Sequence, residues 1–469
     1  MTSRFLTAAI CAALLTGCAK GRDYAPPTAP VATTYKETPP GWRIAEPADL
    51  LDRGPWWLLF NDPLLDELER KVEVSNQTLA GAEAAYRQAR ALVREQRASF
   101  FPTVTLDGTA TRSQASAGSS GIRRNPETSY RIDIGATWEP DVWGRIRNTV
   151  TVAEANAEAS AADLASARLS AQGELATNYL QLRSVDAAVE LLIATVDAYR
   201  EALRITRNRY DAGIAPMTDV LQAETQLTST EADLEGLDRQ RAQLEHAVAV
   251  LVGQAPGDFS IPVRLQADPA IPEIPPGLPS QLLLRRPDIA ASERRVASAN
   301  ASIGVAEAAF FPDFTLTGVY GFSGPELGRL INASSSLWSL GLSVAQTVFD
   351  AGARTARADQ AKAEYDQTVA NYRQTVLSAF GDVEDQLAAA RVLARQHELR
   401  QRASAAADEA ERMALNQYQA GRLGYSDVIV SQVAALNARR QLAQVVADRQ
   451  TSAVALIQAL GGGWISPRR

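Results

Sequence analysis

"RYDAGIAPMTDV" (Arg209–Val220) returns later in the chain as "QYQAGRLGYSDV" (Gln417–Val428). Tyr210, Ala212, Gly213, Asp219 and Val220 meet identical residues 208 positions on, at Tyr418, Ala420, Gly421, Asp427 and Val428. Upstream, "ASFFPTVTLDG" (Ala98–Gly108) is echoed by "AAFFPDFTLTG" (Ala308–Gly318), 210 positions apart. Downstream, "VLVGQ" (Val250–Gln254) is answered by "QALGG" (Gln458–Gly462). An offset this steady means one structural unit duplicated in tandem. It is far longer than a solenoid period of about 20–50 residues. It predicts pseudo-symmetry inside one protomer, and a ring or barrel built from further copies.

Around each turn the chain reads as helix. From Gly144 to about Tyr210 there is no proline and one internal glycine, Gly173. At about 1.5 Å per residue such a helix runs roughly 100 Å, which suits a coiled coil or tube rather than a globule. Leu182, Val185, Val189, Leu192, Val196, Tyr199 and Leu203 recur in alternating steps of three and four, the spacing of a left-handed supercoil. Tyr210 reads as a continuation of that seam. Alanine crowds the preceding stretch (Ala153, Ala155, Ala157, Ala159, Ala161, Ala162) and allows close helix approach. Gly213 and Pro216 make a tight turn, and a helix from about Thr218 to Val252 returns antiparallel. The second half offers Gly352–Tyr418, a turn at Gly421–Gly424, and Ser426–Leu460. His397 falls where Val189 stands in the first half, and a polar seam residue of this kind sets register.

Before each long helix the period changes to two. Val104, Leu106, Gly108 and Ala110 alternate with threonines and Asp107; Tyr130, Ile132, Ile134, Ala136 and Trp138 alternate with Arg131, Asp133, Gly135 and Thr137. Phe314, Leu316, Gly318, Tyr320 and Phe322, then Trp338, Leu340, Leu342 and Val344, repeat the pattern. One apolar and one polar face make amphipathic strands, and strands of this length fit a transmembrane barrel. Four strands cannot close a barrel alone, so the expectation is a barrel shared between chains. Trp138 and Trp338 suit a membrane rim. Trp56 and Trp57, ahead of the first helix, suit packing.

The boundaries follow. The first repeat covers 61–253, with a β-hairpin at about 102–141 and a long helical hairpin at 144–252. A Pro-rich linker takes 254–279. The second repeat covers 280–461, with a β-hairpin at about 312–349 and a helical hairpin at 352–460, and 462–469 is a tail. At the front, Arg4, the apolar Phe5–Leu15 and Leu15-Thr16-Gly17-Cys18 resemble a lipoprotein signal peptide over 1–17, with lipid on Cys18. Cys11 lies in the part removed. Several acyl chains on one residue form a stable anchor, at roughly 0.8 kcal/mol per buried methylene. Ala19 after the cysteine suggests sorting to the outer membrane. Residues 18–60 read as an extended, Pro-rich tether.

Composition excludes several classes. The chain carries a net charge of −7 with no basic stripe, which argues against nucleic acid. Two histidines and no cysteine beyond Cys18 leave no His/Cys metal cluster, and no cofactor is expected besides the covalent lipid. No Walker loop, GxSxG or HExxH is present, so no enzyme is expected. No run of 18 apolar residues follows Cys18, so any membrane crossing uses strands.

The whole mature chain resembles the TolC-like outer-membrane efflux factors, in the lipoprotein (NodT/OprM-type) branch. The carriers are the lipobox, "DPLLDELERKVEVSNQTLAGAEAAYRQAR", the paired "FFP" entries to strands, the two Tyr-x-Ala-Gly…Asp-Val turns, and Leu284-Arg285-Arg286-Pro287-Asp288-Ile289. The resemblance implies a mainly α fold with a β-barrel portion. A homotrimer would form a twelve-stranded transmembrane β-barrel, continued by a long periplasmic α-helical coiled-coil tunnel. It implies a passive, gated conduit carrying small molecules from a periplasmic adaptor (membrane fusion) protein and an inner-membrane RND-type pump to the exterior. The same architecture also serves type I protein secretion, which stands as the alternative.

The turns then carry two readings. Asp219 and Asp427 suit helix N-caps, Asp219 forming a capping box with Gln222. By the resemblance, Asp219 on one turn and Tyr418, Arg422 and Asp427 on the other belong to a periplasmic gate, with Gly213 and Gly421 shaping the helical-hairpin turns. The family carries a second acid where this chain has Val430, and its gate arginine where this chain has Leu423 beside Arg422.

Overall fold

The computed structural model describes residues 24–32, 34–37, 55–114, 125–264, 271–272, 274 and 285–462. Cys18 and the signal peptide expected over 1–17 lie outside the described residues. Asp62 accepts hydrogen bonds from the backbone N–H groups of Leu64 and Leu65 and opens α1 (Pro63–Ser75), with Pro63 in the first turn. That is where a missing N–H costs nothing. Asn76 separates α1 from α2 (Gln77–Ala98) and caps it by accepting from the Leu79 N–H. Then come β1 (Thr103–Ser113), β2 (Glu127–Trp138), α3 (Arg145–Asp211) and α4 (Met217–Leu251). The second half supplies α5 (Pro287–Ala308), β3 (Asp313–Gly324), β4 (Ser336–Ala345), α6 (Ala353–Gln419) and α7 (Tyr425–Ala459). α3 and α6 each have 67 residues, and α4 and α7 each have 35. The duplication is therefore kept to the residue in the helical hairpins.

The chain divides into two compact units. The first holds residues 85–161 and 291–372 with the start of the chain. Its four strands form one antiparallel sheet in the order β1-β2-β3-β4. Register aligns a cross-strand row Leu106–Ile134–Tyr320–Trp338, and all four side chains are exposed. β1 and β4 each leave an edge unpaired among the described residues. An exposed apolar row beside two edges unpaired among the described residues needs a partner or an apolar solvent. Asp141 caps α3 by accepting from the N–H groups of Ile146 and Arg147. Asp350 does the same for α6 at Gly352 and Arg354. Trp143 stacks on Phe311 with centroids 4.8 Å apart and donates its indole N–H to the Pro312 carbonyl. At the chain's start, the Tyr24 hydroxyl donates to Glu293 at 2.5 Å.

The second unit holds residues 29–84, 162–290 and 373–469 and contains the main apolar core. Trp56, Trp57 and Phe60 pack with Leu65, Leu68 and Val72 of α1, Leu175, Tyr179 and Leu182 of α3, and Val454, Leu456 and Ile457 of α7. The seam residues Leu182, Val185, Leu192, Val196 and Tyr199 are all buried. Two joints show the duplication at atomic level. The Asn76 amide donates to the Leu251 carbonyl at 2.8 Å, and 208 residues beyond Leu251 the Ala459 carbonyl accepts from Arg286 at 3.2 Å. Arg286 also grips Asp288 and Asp382, so the Arg-Arg-Pro-Asp run fastens the start of α5 to α6 and α7.

Candidate gate at the hairpin turns

Both turns are helix ends of one design. α3 closes with Gly213 N–H donating to the Tyr210 carbonyl and Ile214 N–H to Arg209, both at 2.8 Å. α6 closes with Gly421 N–H to Tyr418 and Arg422 N–H to Gln417, both at 2.9 Å. The two glycines have φ of +73° and +71°, the left-handed conformation that this closure requires and that a Cβ strains.

The aspartates are not caps. Pro216 and Gly424 occupy the N-cap positions of α4 and α7, and neither helix has a side-chain cap. Asp219 and Asp427 stand in the first turn, where their charges oppose the positive end of the helix dipole. The capping-box reading fails because the N-cap positions lie three residues before Asp219 and Asp427.

The two hairpins meet through an aromatic cluster. Tyr418 and Tyr425 are each 3% exposed, with ring centroids 5.2 Å apart. With Val428 and Ala223 they form a small core, against which Leu203, Ile205, Leu415, Leu423 and Ile429 pack. Burial, and the neighbouring Tyr418, push the Tyr425 hydroxyl up to about 12. The Tyr418 hydroxyl is buried and has no partner among the described residues. Instead, the guanidinium of Arg209 lies over the Tyr418 ring at 4.7 Å and donates to the Gln419 carbonyl at 3.4 Å. Burial holds the Asp219 carboxyl above the usual carboxylate value, and the charge of Arg209 works against that. Arg422 and Asp427 are exposed. Tyr210 is exposed as well, because Thr206 and Ala202 take the buried positions at that end of α3.

The structure thus brings Asp219 and Tyr418 to one junction through Arg209. It leaves Arg422 and Asp427 outside that junction. Arg209 and Tyr425 were not expected from sequence. The repeat alone does not single them out: Arg209 aligns with Gln417 and Tyr425 with Met217, but five further positions of the twelve also differ. No group of three or more His, Cys, Asp or Glu placed to hold a metal ion occurs among the described residues. No helix there is long and apolar enough to cross a membrane.

A family model described as "Outer membrane efflux protein" matches residues 68–254 and 278–462, one match for each repeat. The chain belongs to that family. It is 33% identical over 476 residues to the probable efflux pump outer membrane protein TtgC of Pseudomonas putida, spanning 99% of this chain and 96% of that one. The solved outer-membrane channel OprN superposes with a TM-score of 0.89 at 30% identity, over 95% of this chain and 100% of the other. The open state of the Neisseria gonorrhoeae MtrE outer membrane channel gives 0.84 at 28% identity, over 96% and 99%. This efflux protein is the outer-membrane channel component of an efflux system. It has the two-repeat TolC-like fold and extends into the periplasm.

Proposed function

We propose that the efflux protein works as a homotrimer, anchored to the outer membrane by lipid on Cys18, and passively conducts small molecules handed on by a periplasmic adaptor and an RND-type inner-membrane pump. No chemical step belongs to it. The observation that carries this reading is the sheet. The four strands of the described residues, with two open edges there and the exposed row Leu106–Ile134–Tyr320–Trp338, satisfy their backbone groups in lipid only when further copies close the barrel. Light scattering of the detergent-solubilised protein should give three copies per particle. A monodisperse single chain with retained β-content overturns the shared barrel. Radiolabelled palmitate should enter the wild type and not Cys18→Ser.

The gate of this reading sits at the junction of the two hairpins, where Arg209 lies over the Tyr418 ring. A cation over an aromatic ring contributes about 1 kcal/mol in a half-buried setting. Three copies acting together contribute about 3 kcal/mol, a shift of roughly 100-fold in the closed-to-open ratio. In planar bilayers, Arg209→Gln is expected to raise the open probability strongly. Tyr418→Phe, which keeps the ring and loses only an unpartnered hydroxyl, should leave it near wild type. A wild-type open probability in Arg209→Gln would remove this contact from the gate, and a large effect of Tyr418→Phe would show that the hydroxyl also acts.

A further inference from the structure

The ends of α3, α5 and α6 that adjoin the strands enclose a cleft of about 460 Å³. We infer that it binds an anionic amphiphile, an acidic head on an aliphatic tail. This goes beyond the conduit reading above, which asks for no binding site. All the lining residues belong to the first unit of one chain. Three of them are arginines: Arg145 from α3, and Arg354 and Arg357 from α6. No acidic side chain lines the cleft among the described residues, in a chain whose net charge is −7. Much of the remaining lining is small and apolar, with Val152 of α3 and Val305 and Ala306 of α5. A cleft of this size and mixed character suits a small molecule with one charged end.

Two of the arginines are held in place by groups that do not line the cleft. Both carboxylate oxygens of Glu139 accept from Arg145 Nη2 at 2.6 Å. Asp350 accepts from Arg354 Nε at 2.7 Å, and the Arg354 guanidinium lies 5.7 Å over the Phe310 ring. Neither arginine spends all five of its donors in this way. Arg145 keeps Nη1, and Arg354 keeps both Nη1 and Nη2, without a partner among the described residues. Glu139 and Asp350 offset the charges they hold, so the uncompensated charge is that of Arg357. Arg357 is exposed and makes no ion pair or hydrogen bond there. Two fixed guanidinium forks beside one free cation favour a carboxylate, sulfonate or phosphate head. The fold itself does not demand these cations. α3 and α6 align without a gap over 67 residues, and Arg354 and Arg357 fall opposite Ile146 and Thr149, Arg145 opposite Ala353. The start of a long helix is therefore built in the other repeat without them.

The test uses the full chain in a nonionic detergent. Decanoate is titrated calorimetrically against a detergent blank. Decanol serves as the tail without the charge, and inorganic phosphate as the charge without the tail. Decanoate should bind at a single site per chain, at least about tenfold more tightly than either probe. Arg357→Gln removes the free cation, and Ala309→Trp fills the cleft from an exposed lining position. Each should weaken decanoate binding by about tenfold or more with an unchanged thermal midpoint. If the tryptophan lowers the midpoint, Arg357→Gln decides alone. Phosphate or decanol binding as tightly as decanoate, or wild-type affinity in Arg357→Gln, overturns the inference. Phosphatidylglycerol that co-purifies with the wild type and is lost from Arg357→Gln makes the amphiphile a membrane lipid. Decanoate binding with no co-purifying lipid makes it a free acid. Light scattering of the same samples counts the copies, so a failed trimer and a failed cleft are read separately.

Discussion

Asp186→Ala is expected to destabilise the second unit by about 3–5 kcal/mol, the cost of leaving buried charges without their partner. Asp186 sits on α3 and is 0% exposed. Its carboxylate accepts from Arg183 on the same helix at 2.9 Å, from Arg241 on α4 at 2.7 Å, and from the backbone N–H of Arg264 at 3.3 Å. The two arginines also donate to the carbonyls of Pro262 and Ile261. One carboxylate therefore ties α3, α4 and the segment between the repeats together. Arg183 lies over the Tyr179 ring at 4.9 Å and donates to its hydroxyl, which donates in turn to Asp62 at the start of α1. Alanine would leave the Arg183 guanidinium without a carboxylate and Arg241 with only Glu245 at 3.6 Å. Asp186→Asn keeps the shape and an acceptor oxygen but loses the charge, so about half the effect is expected. Thermal unfolding in detergent reads the midpoint, and limited proteolysis near Ile261–Arg264 reads release of the segment. An exposed pair such as Glu201–Arg204 is the control, since water solvates such charges nearly as well apart as together. Equal midpoints for the wild type and Asp186→Ala would remove the network from any account of stability.

The features legible in the sequence are those with a period or a repeat. Of the three-four seam, Leu182, Val185, Leu192, Val196 and Tyr199 are buried, Val189 and Leu203 are half-buried, and Tyr210 beyond them is exposed. Alternation named both β-hairpins, because a strand's two faces meet different surroundings at every second residue. The turns were legible from Gly213 and Gly421, since few residues other than glycine hold the left-handed closure of a helix end. What escaped was whatever depends on residues far apart in the chain. Arg209 reads as one more cation on a solvated helix until Tyr418 is placed beneath it. Asp186, Arg183 and Arg241 read as charged outer positions of coiled-coil helices. Their burial comes from Ile261 and Pro262, in a segment whose path no local pattern states. The start of α4 lies within one residue of the expected Thr218, but Asp219 looks like its cap, whereas Pro216 with extended backbone holds the N-cap position. Glu69 is a different case: it stands four residues after Leu65 and three before Val72, so the helical period itself puts this carboxyl on the apolar face of α1.

Glu69→Gln is expected to stabilise the efflux protein, and to do so more as pH rises. Glu69 is 0% exposed among Leu65, Leu68 and Val72 of α1. Neither of its oxygens has a hydrogen-bond partner among the described residues. Burial pushes its carboxyl up to about 9, and the nearby Glu73 adds to the rise. The folded chain therefore keeps this proton between its ordinary value of 4.5 and about 9, while the unfolded chain releases it. The unfolded state binds fewer protons in that window, so stability falls as pH rises through it. The slope is at most about 1.4 kcal/mol per pH unit, and the wild type should lose about 3 kcal/mol between pH 5.5 and 8 from this group. Glutamine matches the protonated acid in shape and cannot ionise. The two proteins should melt together near pH 5, with the variant higher by a margin that widens to pH 8. Glu69→Leu goes further, since it also removes the two unpartnered oxygens, and it should be more stable at every pH. Thermal midpoints of the three proteins in one detergent, across pH 5 to 8.5, decide the matter. Parallel curves for the wild type and Glu69→Gln would show that Glu69 is ionised in the folded chain, held by a partner outside the described residues.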